Sequence, residues 1–328
     1  MSNCVVTGVA GFIGSQLAET LLRQGCKVTG IDCLTDYYDP AIKRSNLALL
    51  LQHERFTFSD ADLSGDFRLS HGDVDYVFHL AAQPGVRASW TAFDTYTRHN
   101  LLATKNLLEQ LRERSIRRLI FASSSSVYGA ADRLPVVESD SLRPLSPYGV
   151  TKLAAESLCF AYAREFGIPV TALRYFTVYG PRQRPDMGLH IFMKAALEGR
   201  PITIFGSGEQ RRDYTFVTDV IAASIACMNA PPGSALNISG GSMVTLDRCI
   251  EILRSVTGLP VRVEYTARQK GDPAATEADT THARHVLGFS PRVPFEEGVR
   301  LQWQWLREIY TPTRASSFGM TYRHLGPS

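Results

Sequence analysis

Ser123-Ser124-Ser125-Ser126-Val127-Tyr128-Gly129, followed by Ser146-Pro147-Tyr148-Gly149-Val150-Thr151-Lys152, sets a row of hydroxyls ahead of a tyrosine and a lysine. The i, i+4 spacing puts Tyr148 and Lys152 on one face of a helix. An ammonium there favours the phenolate and lowers a tyrosine pKa of about 10 towards working pH. A phenol poised in this way is a general base for a substrate alcohol, and the serines, Ser124 among them, can hold that alcohol in line. An alcohol needs such a base only if something else leaves with the proton, so a hydride acceptor is required.

The N-terminus has the pattern of a site for one. Asn3 to Thr7 is a short apolar run that stops at Gly8-Val9-Ala10-Gly11-Phe12-Ile13-Gly14, and a helical pattern then runs from Phe12 to Gln24. Strand, glycine turn and helix in that order are the context a dinucleotide fingerprint requires. Gly8 permits the tight turn, Gly11 lets backbone amides approach a pyrophosphate, and Gly14 allows close helix–strand packing. A second strand, Lys27 to Ile31, ends at Asp32, where a carboxylate would bind the adenosine ribose hydroxyls. That carboxylate would repel a 2′-phosphate, which favours NAD over NADP. The bland alternative is a glycine turn without ligand; the strand context and Asp32 count against it.

The elements that must position these groups alternate. After a loop and helix over Asp36 to Gln52, strands are expected at Arg55–Ser59, Asp75–Leu80, Arg117–Ser123 and Pro169–Tyr175. Amphipathic helices are expected at Phe93–Arg114, carrying Asn100, and at Pro147–Phe166. Asp62 could hydrogen-bond an adenine amino group, although a turn carboxylate capping the next helix is an equally simple reading. Small residues at Ala81-Ala82 would let a ribose approach the end of the fourth strand. The alternation predicts a doubly wound parallel sheet. It breaks at Thr177 to Gly188, rich in proline, arginine and glycine, which reads as a long loop. Beyond it come a helix (Leu189 to Glu198), a strand (Ile202 to Phe205), helices near Thr218–Asn229 and Leu246–Thr257, a strand near Val261–Tyr265 and a helix near Phe295–Tyr310. The expected organisation is a sheet domain over residues 1–175, with returning elements near 213–240. A smaller α/β substrate lobe would span 176–212 and 241–310, with a polar tail over 311–328.

Composition narrows the function classes. A chain of 328 residues can bury a large core, and 44% hydrophobic with 20% charged residues is ordinary for a globular protein. A net charge of +3 is too small for a nucleic-acid surface. No apolar run is long enough to span a bilayer, and the start lacks the basic residues of a secretory signal. The six cysteines are scattered without a C-x-x-C pair, as expected for buried thiols in a reducing cytoplasm. His282 and His285 at i, i+3 have no third ligand beside them, so no metal is expected.

Taken together, Gly8/Gly11/Gly14, Asp32, Asn100, Ser124 and Tyr148/Lys152 resemble the extended short-chain dehydrogenase/reductases, the nucleotide-sugar epimerase and dehydratase group, over residues 2 to about 310. The resemblance implies an α/β Rossmann-type domain that retains NAD and a C-terminal sugar-nucleotide lobe. It also implies a homodimer formed through a four-helix bundle of the helices starting near Phe93 and Pro147. Cofactor contacts are then expected from Gly8, Gly11, Phe12, Ile13, Gly14, Asp32, Asp62, Leu63, Leu80, Ala81, Ala82, Asn100, Tyr148, Lys152 and Tyr175. Dehydratases of the group place an Asp-Glu pair just before the Val-Tyr-Gly, and decarboxylases commonly a Glu; here Ser125 and Ser126 stand there. Tyr179-Gly180-Pro181-Arg182-Gln183-Arg184-Pro185-Asp186-Met187 and Asp36-Tyr37-Tyr38-Asp39 resemble the branch that epimerises UDP-glucuronate at C4. By that resemblance Arg184, with Thr177, Ser125 and Ser126, would hold the sugar carboxylate. Arg87 and Arg212 would meet the diphosphate, Phe205 the uracil and Asp272 its ribose. Departures include Cys33 and Thr35, where relatives often carry asparagine. The readings kept open beside it are UDP-glucose/UDP-galactose 4-epimerase, UDP-glucuronate decarboxylase and a catalytically silent NAD-binding regulator.

Overall fold

The computed structural model describes residues 1–69, 72–267 and 273–311. In the first half, strands and helices alternate: β1 (Asn3–Thr7), α1 (Phe12–Arg23), β2 (Lys27–Asp32), α2 (Pro40–Leu47), β3 (Phe56–Asp60) and β4 (Tyr76–His79). They continue through α3 (Phe93–Tyr96), α4 (Ala103–Leu111), β5 (Arg118–Ser124), α5 (Pro147–Phe166) and β6 (Val170–Tyr175). The second half contains β7 (Val178–Tyr179), α6 (Gly188–Leu197), β8 (Ile202–Phe205), β9 (Arg211–Phe216), α7 (Val217–Ala226) and β10 (Ala235–Ile238). It ends with β11 (Ser242–Thr245), α8 (Leu246–Thr257), β12 (Val263–Thr266), α9 (Thr281–Leu287) and α10 (Phe295–Tyr310).

Seven strands form one sheet in the order β10-β6-β5-β4-β1-β2-β3, with every neighbouring pair parallel. Helices cover both faces, so β4, β5 and β6 are buried along their whole length. That is why they read in the sequence as continuous apolar runs rather than alternating ones. The chain builds outward from β1 to β3, returns to β4 and builds outward the other way. The reversal between β1 and β4 opens a crevice beyond the carboxyl ends of the strands.

Two smaller sheets make the second body: β11-β9-β7, and β12 paired in parallel with β8. β7, β9, β11 and α9 were not expected as elements from the sequence, and β10, the edge strand of the large sheet, lies within the stretch near 213–240 expected to return to the sheet domain. β9 opens on Arg211-Arg212-Asp213, a charged start that gives no strand signal, and is held by pairing with β7 and β11. β7 lies inside the stretch expected to be a loop. The helix expected over Phe93–Arg114 is interrupted by a π turn at Thr97–Leu102 carrying Asn100. Such turns widen a helix locally and are frequent at functional sites. Of the polar tail expected over 311–328, residues 312–328 lie outside the described residues.

Candidate active site

The crevice at the sheet reversal is a cleft with about 1180 Å3 of empty space, part of it open to solvent. At its floor Gly8 has φ +71°, a left-handed conformation, and its N–H donates to the Ile31 carbonyl at 2.8 Å. A Cβ on Gly14 would stand 2.2 Å from the Gly8 oxygen, so α1 can sit this close to the turn only with glycine there. Gly11 precedes α1 without a side-chain cap, and Gly11, Phe12 and Ile13 line the cleft. An uncapped helix start presents orphan N–H groups and a positive dipole end, which suits a pyrophosphate. Asp32, at the end of β2, accepts from Leu34 N at 2.9 Å and Ala10 N at 3.0 Å. Burial pushes its carboxyl up, against these N–H groups and Lys43. The collar of glycines, the uncapped helix and the acid at a strand end fit a dinucleotide.

Leu63, Leu80, Ala81, Ala82 and Tyr175 line the same cleft. Asp62 does too, but its carboxylate is already engaged. It accepts from Ser64 N at 2.8 Å and Ser64 Oγ at 2.6 Å, and pairs with Arg98 at 2.9 Å. Burial raises its pKa, but Ser64, His99 and Arg98 together hold it below the ordinary value. This is the turn carboxylate that competed with an adenine contact. Asn100 does not line the cleft. Its Oδ1 accepts from Gln83 N at 2.6 Å, and its Nδ2 donates to Gln83 O at 3.1 Å and Thr151 Oγ1 at 3.0 Å. Both ends of the amide are consumed in tying the loop after β4 to α5.

α5 starts where it does for local reasons. The Ser146 hydroxyl accepts from Gly149 N, Pro147 fills the first turn, and Gly167 closes the far end at φ +70°. Tyr148 and Lys152 thereby enter the cleft together. Ser124 Oγ accepts from Ser126 N at 3.1 Å and lies near enough to Tyr148 to favour its phenolate. The sequence expectation of a lowered phenol pKa is reversed: burial pushes Tyr148 up, against the influence of Ser124 and the Arg184 charge. The Lys152 ammonium sits 4.4 Å from the centre of the Phe121 ring, and burial lowers its own pKa to about 8. Spacing put the two on one face correctly; desolvation decides the sign of the shift.

Arg184 lines the cleft and lies close enough to Tyr148 to pull its pKa down. Its guanidinium pairs with Asp186 through Nε at 2.9 Å and Nη2 at 3.0 Å. Ser125, Ser126 and Thr177 are half-buried and are not in the cleft lining. Arg87 and Phe205 also lie outside that lining but meet each other, the guanidinium carbon 4.3 Å from the ring centre. Arg212 Nη1 donates to the Arg211 carbonyl at 2.8 Å, away from the cleft lining. Asp272 lies outside the described residues.

Sequence reasoning passed over the lining residues Lys43 and Gln83, and quoted Tyr37 and Ser123 within motifs without giving either a role of its own. Lys43 is buried, with Nζ donating to Thr35 O at 2.8 Å and Thr35 Oγ1 at 2.9 Å. A single lysine in an amphipathic helix gives no sign of this. Ser123 donates to Glu156, which also pairs with Arg174. Here a signal existed: Glu156 continues the Tyr148, Lys152 spacing by another four residues. Cys33, Asp62 and His99 bring possible ligand atoms within 4.8 Å of one another. Burial pushes the Cys33 thiol up, and Asp62 is already engaged, so the trio is a poor cation site.

Comparison with known proteins agrees with this geometry. A protein of Bacillus subtilis (strain 168) named uncharacterized UDP-glucose epimerase YtcB is 42% identical, covering 93% of this chain and 98% of that protein. A UDP-glucuronate 4-epimerase of Thermodesulfobacterium geofontis is 38% identical over 94% of this chain and 97% of its own length. The crystal structure of UDP-glucuronic acid 4-epimerase from Bacillus cereus, in complex with UDP-glucuronic acid and NAD, superposes with a TM-score of 0.89. It is 38% identical and covers 94% of this chain and all of that one. Residues 4–239 match the NAD dependent epimerase/dehydratase family, which accounts for a glycine collar and a tyrosine–lysine pair in one cleft, and the chain belongs to that family.

Proposed function

We propose that this protein is a UDP-glucuronate 4-epimerase, interconverting UDP-glucuronate and UDP-galacturonate through a 4-keto intermediate. The observation that carries the reading is Arg184 beside Tyr148 and Lys152 in one cleft. A fixed guanidinium within electrostatic reach of the base suits a sugar that carries a carboxylate. Bound NAD would supply the acceptor and donor for the C4 hydride and, in its oxidised form, a positive charge. Tyr148 takes and returns the proton of the 4-hydroxyl, Ser124 orients that hydroxyl, and Lys152 binds the nicotinamide ribose and supplies charge. Ser125 and Ser126 are neutral at positions where an acid or base would favour dehydration or decarboxylation. Residues 176–212 and 241–310 would form the nucleotide-sugar lobe, with Arg87 and Arg212 towards the diphosphate, Phe205 towards the uracil and Asp272 towards its ribose. Asp62 and Asn100 would support the cofactor, the latter from behind the wall.

An NMR time course with UDP-glucuronate tests this by following the C4 proton couplings and the carboxyl carbon. UDP-galacturonate with its carboxylate retained is the expected product. A pentose product would support the decarboxylase reading, and turnover of UDP-glucose alone would support the hexose reading, which the name of the Bacillus subtilis relative favours. Replacing Arg184 by Ala should raise KM for UDP-glucuronate about 10- to 100-fold, since a hydrogen bond to a charged group contributes about 1.5–3 kcal/mol. KM for UDP-glucose should scarcely move, and an unchanged KM for UDP-glucuronate would remove Arg184 from this role.

A homodimer through α3–α4 and α5 is part of the proposal. Phe93 and Leu102, and Val150 and Phe166 on α5, are 43–47% exposed, an apolar surface suited to another helix pair. Sedimentation equilibrium should give twice the chain mass, and Val150→Glu should give the chain mass. Scattered thiols, five of the six buried, suit a cytoplasmic site. No helix among the described residues is long and apolar enough to cross a membrane.

A further inference from the structure

Arg184 and Asp186 are held by the chain between them. Pro185 fixes its own φ, and Met187 N donates to the Arg184 carbonyl at 3.1 Å, closing a tight turn just ahead of α6. Across that turn the Arg184 Nε and Nη2 reach the two oxygens of Asp186 at 2.9 and 3.0 Å. This is a two-point pairing that fixes the plane of the guanidinium as well as its position. The side chains are only 20% and 28% exposed, so solvent competes less than at an open surface pair. A second element fixes the acid. Tyr37, from the loop after β2, donates its hydroxyl to Asp186 Oδ2 at 3.2 Å. The Tyr37 hydroxyl packs close against Gly85, where a Cβ would stand 2.2 Å from it. Among the described residues no hydrogen bond engages the Arg184 Nη1.

We propose that Asp186, steadied by Tyr37, is a positioning residue for substrate selectivity: it occupies the Nε–Nη2 edge of Arg184 and aims the Nη1–Nη2 edge at the sugar carboxylate. The proposal rests on the UDP-glucuronate reading. An arginine has two edges that can each receive a carboxylate in a planar pair. With one edge filled by the protein, the substrate carboxylate meets a guanidinium that cannot swing. Orientation matters because the 4-keto intermediate is a β-keto acid. If its C5–C6 bond lines up with the C4 carbonyl π system, that bond breaks and CO2 leaves. The electron pair passes into a C4–C5 enolate, which then takes a proton at C5. A guanidinium fixed by Asp186 holds the carboxylate out of that alignment while the ketone turns over. Loss of Asp186 loosens the hold and lets more intermediates lose CO2.

The test uses holoprotein with its retained cofactor and compares wild type, Asp186→Ala, Asp186→Glu and Tyr37→Phe. Asp186→Ala should raise KM for UDP-glucuronate about 10-fold, one charged hydrogen-bonding partnership by the usual conversion. KM for UDP-glucose should stay within about 2-fold. The fraction of UDP-glucuronate turnovers ending in a decarboxylated product should rise above the wild-type fraction, Tyr37→Phe should move it less in the same direction, and Asp186→Glu should bring it back towards wild type. The product fraction does not depend on how much enzyme is folded, so a merely structural role would leave it unmoved. Wild-type KM and product fraction in Asp186→Ala, or an equal rise in KM for both sugars, would overturn the proposal while leaving the function intact. A wild-type protein that does not turn over UDP-glucuronate would overturn the functional reading first and this proposal with it.

Discussion

Replacing Tyr148 by Phe should lower kcat on the UDP-sugar by about 10^3-fold, within the ~10^2–10^4 that a positioned acid–base group contributes. The ring and its edge-on contact with Tyr96, 6.2 Å between centres, would stay, so the loss isolates the hydroxyl. Bound NAD should be retained, because the glycine collar and the α1 start do not depend on the phenol. The pH dependence follows from two shifts of different cause. Burial pushes the Tyr148 phenol up, so raising the pH favours its base form. Burial also brings Lys152 to about 8, so the same rise removes the ammonium charge through that range. The two requirements oppose each other, and activity should pass through a maximum and fall above about pH 8. An oxidised cofactor ring adds positive charge beside the phenol and should lower its pKa, read as tyrosinate absorbance in wild type minus Tyr148→Phe. A Tyr148→Phe enzyme within a few-fold of wild type would mean that another group carries the proton.

Glu156→Ala should cost about 3–5 kcal/mol of stability, the usual penalty for breaking a buried ion pair by removing one partner. Glu156 and Arg174 have side chains 3% and 5% exposed. Arg174 Nε lies 3.2 Å from both Glu156 oxygens, and its Nη1 donates to the Tyr128 hydroxyl at 2.8 Å and the Glu138 carbonyl at 3.0 Å. The Tyr128 hydroxyl continues to Asn237 Oδ1 at 2.6 Å, so the network crosses from α5 through β6 to the edge strand β10. Without Glu156 the guanidinium stays buried with its charge uncompensated and Ser123 loses its acceptor. Urea unfolding should show a lower midpoint with an unchanged slope. The double replacement Glu156→Leu with Arg174→Met should regain much of the loss, because an apolar pair of similar volume avoids the desolvation cost. A single variant that loses less than about 1 kcal/mol would show that water or a neighbour compensates the arginine.

The strands of the large sheet up to β6 were readable within a residue or two of their ends, and for β4, β5 and β6 the reason is that parallel strands covered on both faces are uninterrupted apolar runs. The Gly8 turn, Asp32 and the Tyr148/Lys152 pair were readable for a related reason: each is a spacing within a strand end or a helix face, set by local geometry. β9 and β11 were not, since Arg211-Arg212-Asp213 and Ser242-Met243-Val244-Thr245 become strands by pairing with each other. The support of Asn100 for the loop after β4, the stacking of Arg87 on Phe205 and the capture of Arg184 by Asp186 and Tyr37 were equally silent. Tyr37 and Asp186 lie 149 residues apart, and no periodicity records that they meet. The succession of strands and helices in the sheet domain, and the side chains able to do chemistry, follow from local spacing and apolar runs alone. Their charge states and partners follow from the fold, because desolvation and long-range contacts depend on what the rest of the chain packs around them.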